Sequence, residues 1–239
     1  MSSWHNVHVK PLDVKGNGLP EHFEIPPLVA YKSWALEDAI RSFGVPGGSV
    51  VWLDANTEVR RPFWGVEDIL IEEGYFFTLA GHPFPTHRNV RTETMGFLGD
   101  SEAHPLTQEV TSAIMGFRVG CDLGASVLSR MTSCAMDLKA CHYPPGSTFY
   151  NQKRDQSGLN SILRTLPETP KVYEEEIYWA YATQKRLGVE EDETQFNDVV
   201  FYSRRGVGRM DYVSRIMPVP PEVRYTGEET NVHGALDEI

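Results

Sequence analysis

The sequence contains no long apolar run. No stretch approaches the roughly eighteen consecutive apolar residues that a membrane-spanning helix requires. The first segment, MSSWHNVHVK, lacks the apolar centre of a signal peptide. We therefore predict a chain without a membrane segment. The expected location is the cytoplasm, although the sequence leaves the compartment open. A secretory lumen is the alternative if an N-terminal part of the protein precedes this sequence.

Basic residues are scarce relative to acidic ones. The chain has 22 lysines and arginines against 33 aspartates and glutamates, a formal net charge of −11. Proteins that bind nucleic-acid backbones usually present a basic face. The charge balance therefore argues against a nucleic-acid partner, although a metal ion or a few placed cations could still bind phosphates locally.

Cysteine is also rare, with three residues in all, Cys121, Cys134 and Cys141. Three cysteines are too few for a disulfide framework. A zinc site formed by them with His142 would need closer spacings than this sequence has. We interpret them as small apolar packing residues, and a Cys134–Cys141 pair in a secretory lumen stays open as an alternative.

The chain is long enough, at 239 residues with 41% hydrophobic content, to bury a sizeable core. Strand and helix patterns alternate along it. The predicted strands are 5–10, 49–53, 75–80, 113–119 and 199–203, and the predicted helices are 28–43, 66–73, 121–137, a segment starting at 155, and 171–187. This order predicts an α/β fold with a mostly parallel central sheet flanked by helices. We expect one domain over 1–217 and an irregular tail over 218–239.

Two oxygen-bearing side chains follow the predicted strand SVVWL. Asp54 and Asn56 are two positions apart, so on an extended chain they point to the same side. Ligands of open α/β sheets bind beyond the carboxyl ends of the strands, and oxygen ligands suit Mg²⁺ or Mn²⁺. The pattern predicts a divalent-cation site at Asp54 and Asn56. The alternative is a turn in which both side chains bond to neighbouring amides.

A second polar group of residues, KRDQS, precedes an apolar helix. Asp155 and Gln156 could offer one charged and one neutral acceptor to sugar hydroxyls. Alternatively, Asp155 caps the helix N-terminus by accepting an amide hydrogen bond, and Gln156 is merely exposed. The residues alone leave both interpretations open.

The two stretches together resemble known motifs. A helix that begins with Tyr31-Lys32, a strand that ends in WLDA, and the later segment KRDQSGLN resemble the GT-A class of nucleotide-sugar glycosyltransferases. The likeness is greatest to families with the motifs WLDA and HRxDQS. The letters DQS and LN are more distantly similar to the DQDxLN motif of glycogenin-like retaining transferases. The resemblance covers residues 5 to about 165.

This resemblance implies a Rossmann-like GT-A architecture, a nucleotide-sugar donor, a carbohydrate or glycoconjugate acceptor, and Mn²⁺ or Mg²⁺ as cofactor. Asn56 departs from the family pattern, because it is a neutral and weaker ligand where a second acid is usual. The strand and helix that form the first half of the nucleotide pocket in that family have no match here, so either they precede residue 1 or a shortened variant binds its nucleotide otherwise. By position, the resemblance assigns donor binding to Lys32, Asp54, Asn56 and Arg154, the metal ion to Asp54 and Asn56, and catalysis to Asp155 and Gln156.

The expected function is metal-assisted transfer of a sugar from a nucleotide-sugar donor to an acceptor hydroxyl, with retention favoured if Asp155 and Gln156 lie beneath the sugar ring. The polar stretch 81–108 is expected to be a loop that covers the acceptor. Trp34, Trp52 and Trp64 are expected in the core rather than as sugar platforms. The alternatives are a degenerate or fragmentary binding protein of the same fold, and a Mg²⁺-dependent phosphotransferase that uses Asp54 as nucleophile.

Overall fold

The computed structural model of the protein describes residues 10–25, 28–55, 57–59, 61–62, 64–80, 89–100, 109–148, 151–173, 179–182 and 200–204. Its α-helices are α1 (Tyr31–Phe43), α2 (Trp64–Glu73), α3 (Thr92–Leu98), α4 (Asp122–Met136) and α5 (Asp155–Arg164). Its strands are β1 (Ser49–Leu53), β2 (Thr57–Val59), β3 (Tyr75–Leu79), β4 (Val110–Arg118), β5 (Trp179–Ala182) and β6 (Phe201–Arg204). A short 3₁₀-helix (Glu21–Glu24) precedes α1, and a π-helical turn (Leu138–His142) follows α4. Within these ranges no helix is long and apolar enough to cross a membrane.

The strands form two three-stranded sheets. In the first, the order is β1-β4-β3 and both pairings are antiparallel. In the second, the order is β2-β6-β5, with β2 antiparallel and β5 parallel to β6. The predicted α/β class is confirmed, whereas the predicted mostly parallel sheet does not match the pairings of the described strands. The reason is that β4 lies between β1 and β3 and runs opposite to both, so in the first sheet only the non-adjacent strands β1 and β3 share a direction.

Helices cover both faces of the first sheet. Its central strand β4 is buried along nearly its whole length. One face packs against α1, α4 and α5, in a cluster that contains Phe77 and Met115. The other face packs against α2, in a cluster that contains Phe76 and Ile114. Successive strand residues point to opposite faces, which is why neighbouring phenylalanines belong to different clusters.

Most predicted helices and strands are present with small shifts at their ends. The helix α1 begins at Tyr31 rather than near residue 28. The predicted loop 81–108 contains α3 (Thr92–Leu98), which buries Met95 and Leu98. Trp64, expected in the core, is 68% exposed at the start of α2. That expectation is wrong because the inward-facing residues of this helix are aliphatic.

The chain after residue 170 differs most from the sequence prediction. The segment 171–187 is predicted as a helix, but Tyr173 pairs with Thr78 of β3, and Trp179–Ala182 form β5. Strand pairing outweighs the acidic-to-basic order of this segment, because a helix-dipole interaction contributes only about 0.3–1 kcal/mol. The strand predicted at 5–10 lies outside the described residues except for Lys10. The tail predicted at 218–239 lies wholly outside them.

The cysteines differ from the preferred interpretation in one respect. Cys134, in the last turn of α4, forms a disulfide with Cys141 of the π-helical turn. Both are fully buried, as packing residues should be, and Cys121 is a free thiol. The pairing left open in the sequence analysis is therefore the observed one. It could not be derived from spacing, because it depends on the chain turning back directly after α4.

Candidate functional site

Three elements bring charged side chains together at the carboxyl end of β1. Asp54 follows β1, and its amide donates to Ala113 O at 2.9 Å, which extends the pairing with β4 by one residue. Thr57 N donates to Asp54 O at 2.8 Å, so the chain turns back at this point. Lys32 lies in the first turn of α1, and Asp155 is the first residue of α5.

The ammonium group of Lys32 connects the two carboxylates. Lys32 Nζ lies 3.0 Å from Asp54 Oδ1 and 2.7 Å from Asp155 Oδ2. It also donates to Ser112 O at 3.0 Å. The ammonium group therefore lies among three oxygens, one from the backbone and two from carboxylates. The resemblance assigned Asp54 and Asp155 to one donor site, and in the structure the two carboxylates share one cation.

This group of Lys32, Asp54 and Asp155, hereafter the site cluster, has one positive and two negative charges. Burial by itself would lower the pKa of Lys32, but the charges of Asp155 and Asp54 and their hydrogen bonds outweigh burial and raise that pKa above its usual value. Lys32 therefore stays charged at physiological pH. The side chain of Lys32 is 4% exposed and that of Asp54 28%, so the site cluster opens to solvent at Asp54.

Trp52 orients Asp54 and covers Lys32. Its indole Nε1 donates to Asp54 Oδ1 at 2.8 Å. The centroid of its ring lies 5.7 Å from Lys32 Nζ, within the range of a cation–π contact. Side chains two apart on a strand share a face, which explains why Trp52 and Asp54 meet. Trp52 does pack against the main core, but its N–H also belongs to the site cluster.

The start of α5 differs from the capping interpretation. The N-cap residue is Arg154 rather than Asp155, and no side chain caps this helix end. The Asp155 carboxylate pairs with Lys32, at the end of the helix where the dipole favours a negative charge. Arg154 has φ 55° and ψ −121°, a conformation that costs a non-glycine residue on the order of 1–3 kcal/mol. Such strain is typical of functional sites.

The residues on either side of Asp155, Arg154 and Gln156, were also assigned to the site. The guanidinium of Arg154 lies 6.0 Å from the ring centroid of Tyr143, and its Nε is buried without a hydrogen-bond partner among the described residues. Gln156 is only 8% exposed. The alternative that Gln156 is merely exposed is therefore wrong, and its predicted contact with a sugar stays a prediction.

The rest of the DQSGLN segment holds the helix in place. Ser157 Oγ accepts from Lys153 N at 2.6 Å and donates to Asn89 O. The side-chain amide of Asn160 bonds to both the N–H and the carbonyl of Val110, each at 2.8 Å. These bonds fix α5 to the start of β4. In this chain, the serine and asparagine of the segment therefore position Asp155.

Asp54 is the residue of the site cluster that could offer an oxygen to a divalent cation. Asp54 Oδ1 is occupied by Lys32 and Trp52, which leaves Asp54 Oδ2 for a single-oxygen contact. The predicted second ligand, Asn56, lies outside the described residues, within which no group of three or more His, Cys, Asp or Glu side chains could hold a metal. Magnesium is commonly bound by one or two carboxylates together with substrate phosphates and waters. The residues fit that arrangement better than an all-protein cage.

Sequence reasoning missed His142 as a neighbour of the site. His142 is 1% exposed, and its Nε2 lies 2.6 Å from Leu28 O. In the sequence it was considered only as a zinc ligand beside the cysteines. No local signal could have placed it next to Asp155. Its position depends on the π-helical turn and on its hydrogen bond to Leu28, which is 114 residues away in the sequence.

Comparison of the chain with protein-family models, with curated proteins and with solved structures gave no match. The resemblance to nucleotide-sugar transferases therefore depends on the sequence motifs.

Proposed function

We propose that the site cluster binds a nucleotide-sugar donor and that the protein transfers the sugar to an acceptor hydroxyl. The observation that carries the proposal is the contact of one buried lysine with both Asp54 and Asp155. This contact joins the two motifs on which the resemblance depends. Asp54 of this group is 28% exposed beyond the end of β1, where a ligand can reach it from solvent. The GT-A architecture is part of the same proposal.

Asp54 is the residue assigned to the cation. Its open oxygen, with Asn56 as the second ligand, would hold Mg²⁺ or Mn²⁺, which supplies charge stabilisation to a diphosphate leaving group. The excess negative charge of the site cluster favours such binding, since a single lysine leaves one carboxylate charge uncompensated. Trp52 keeps the other oxygen of Asp54 turned towards Lys32.

Within this proposal, Lys32 has a positioning role. Its ammonium group is buried and ion-paired with both carboxylates, so we assign it to fixing Asp54 and Asp155 rather than to direct contact with a phosphate. Arg154 is the remaining candidate for a direct contact with the diphosphate, because its guanidinium Nε lacks a partner among the described residues. Planar guanidinium groups suit phosphate oxygens well.

Asp155 and Gln156 are assigned to the sugar. Asp155 is held by Lys32 and is 10% exposed at its side chain, so its carboxylate is fixed before a ligand arrives. A carboxylate fixed in this way can accept hydrogen bonds from sugar hydroxyls or stabilise positive charge that develops on the sugar ring. If Asp155 and Gln156 lie beneath the sugar ring, we expect transfer with retention of the anomeric configuration. The anomeric configuration of the product tests this directly.

The test is release of nucleoside diphosphate from a panel of UDP- and GDP-sugars, with Mn²⁺ or Mg²⁺ and with chelator. Asp155→Asn and Asp54→Asn keep the shape of the side chains and remove charge. We expect each to lower donor cleavage by about 10²–10³-fold, the typical loss when one group that stabilises transition-state charge is removed. Asp68→Asn, at an exposed position of α2, is the matched control and should cleave donor like the parent.

Three outcomes would contradict the proposal. Unchanged cleavage in both site variants would show that the assignment of the site cluster is wrong. Donor binding without any turnover would favour the binding-protein alternative. Trapping of a phosphoryl group on Asp54 would favour the phosphotransferase.

A further inference from the structure

A small cavity lies directly behind Asp155. Its volume is about 10 Å³, and its lining includes Ser33, His142 and Asp155 among apolar groups. This volume is at the lower limit of the roughly 10–15 Å³ that one water molecule requires. Cavities lined only by apolar atoms stay empty, whereas a water needs two to four polar partners. The lining therefore decides whether this space is dry or hydrated.

The hydrogen bond of His142 determines which ring nitrogen can accept. Nε2 lies 2.6 Å from Leu28 O, and a carbonyl only accepts, so Nε2 carries the proton. Burial lowers the pKa of His142 below its usual value, which keeps the ring neutral. Nδ1 is then a hydrogen-bond acceptor with a lone pair.

Asp155 offers a second acceptor to the same space. Its Oδ2 is buried and, although it is ion-paired with Lys32, it retains a lone pair without a hydrogen-bonded donor. Ser33 adds a hydroxyl, which can donate as well as accept. His142 and Asp155 both line the cavity, and two acceptors cannot satisfy each other. A water can, because it has two hydrogens to donate and can accept the hydroxyl hydrogen of Ser33.

We propose that this cavity is a binding site for one ordered water, which donates to His142 Nδ1 and to Asp155, accepts from Ser33, and thereby fixes the Asp155 carboxylate at a second point besides Lys32. His142 and Ser33 are then positioning residues for Asp155. The inference goes beyond the proposed function, because it concerns how the carboxylate is held and does not require that a sugar is transferred.

Gly158→Ala is the variant that tests this water with the least disturbance. Gly158 lines the cavity, and a Cβ at this position would meet only Cys134 Sγ, at 3.5 Å, an ordinary contact. The methyl group takes up space that is barely sufficient for a water, and alanine is the better helix former at a helical position. We therefore expect the variant to lose the water without losing stability. Gly96→Ala, in α3 with open space around the added methyl, is the matched control.

The measurements are a high-resolution crystal structure of the full chain and the ¹⁵N chemical shift of His142 Nδ1. In the parent and in Gly96→Ala we expect density for one water within hydrogen-bond distance of the three groups, and an Nδ1 shift typical of a hydrogen-bonded acceptor. In Gly158→Ala we expect no such density, an Nδ1 shift typical of a free lone pair, and a second rotamer of Asp155.

Two results would overturn the inference. One is an empty cavity in the parent. The other is an Asp155 carboxylate that keeps a single unchanged position in Gly158→Ala after the water has gone. Ser33→Ala provides a second test, because it keeps the cavity and removes one partner, so the water should show weaker density. None of these readouts needs turnover, so an inactive protein that contains the water would refute the proposed function and leave this inference standing.

Discussion

The two ends of α5 carry charged groups of different composition. At its first residue lies the site cluster, with two carboxylates for one lysine. At its last residue, Arg164 pairs with Asp100, whose Oδ2 also accepts from Ser161 at 2.8 Å. This closed cluster of Asp100, Ser161 and Arg164 has balanced charges, and the side chains of its ion pair are at most 2% exposed.

The two clusters differ in charge balance and exposure. On this basis we interpret the closed cluster as a structural ion pair and the site cluster as a candidate functional site. A buried pair persists when its charges balance and its hydrogen bonds are complete, and the closed cluster meets both conditions. The site cluster keeps an uncompensated negative charge and opens to solvent at Asp54. Such an arrangement adds little to stability, but it is what a cationic ligand or metal ion requires.

The largest expected effect is that of Lys32→Met. The substitution leaves the carboxylates of Asp54 and Asp155 close together without their shared cation. Removing one partner of a buried ion pair typically costs about 3–5 kcal/mol, and we expect a loss in that range in the free energy of unfolding, measured with urea. Donor cleavage should be lost as well. Lys171→Met removes a lysine from an exposed pair with Glu73 and should change stability far less, because both charges are hydrated.

Arg164→Met tests the other side of the comparison. The loss of stability should again be about 3–5 kcal/mol, but donor cleavage per folded molecule should stay at the parent level. Asp100→Asn in the same chain should recover part of the stability, because it removes the charge that Arg164→Met leaves unpaired. A folded Arg164→Met protein that has lost cleavage would refute the distinction between the two clusters.

The disulfide should have an intermediate effect. Cys134 and Cys141 enclose a short loop, and closing a loop of this size contributes about 2–3 kcal/mol in the chain-entropy description. We expect the double variant Cys134→Ser, Cys141→Ser to lose about that much unfolding free energy. Cys121→Ser, at the free thiol, is the control. Unchanged stability in the double variant would show that packing alone holds the π-helical turn, which also carries His142.

The smallest effect is expected from alkaline pH. The pKa of Lys32 is raised in the folded protein, so its contribution to stability is complete below the unfolded lysine value of about 10.4 and is lost as pH rises through the higher folded value. The stability difference between the parent and Lys32→Met should be constant from about pH 6 to 9 and decrease above about pH 10.4. The difference for Arg164→Met should persist there, since a guanidinium does not deprotonate in proteins. Parallel curves for the two variants would contradict this.

The helices and strands near the site were predictable because their signals are local. The strand SVVWL and the helix after Asp155 follow from short apolar patterns, and the family motifs suggested that Lys32, Asp54 and Asp155 converge. The direction of β4 was not predictable, because its residues are buried on both faces whether the neighbouring strands run parallel or antiparallel. The helix predicted at 171–187 failed for a similar reason, since pairing with distant strands outweighed local preference.

The contacts that distinguish the two clusters could not be predicted, because they join residues far apart in the sequence. Asp100 and Arg164 are separated by 64 positions, and neither belongs to a recognisable pattern. His142 depends on the π-helical turn after α4, for which the sequence has no clear signature. Polar residues within an apolar helix, such as Ser161 and Arg164, were the one available hint that α5 has internal polar partners.

The burial of α5 has a consequence for its tolerance of substitution. Every residue from Gln156 to Arg164 is buried, so this helix has no outward side on which residues can vary freely. In a saturation mutagenesis library selected for folded protein, we expect its segment to retain fewer alternatives per position than any other helix described, including at its serines and its asparagine. Such a segment is the best choice of sequence with which to search for distant relatives of this chain.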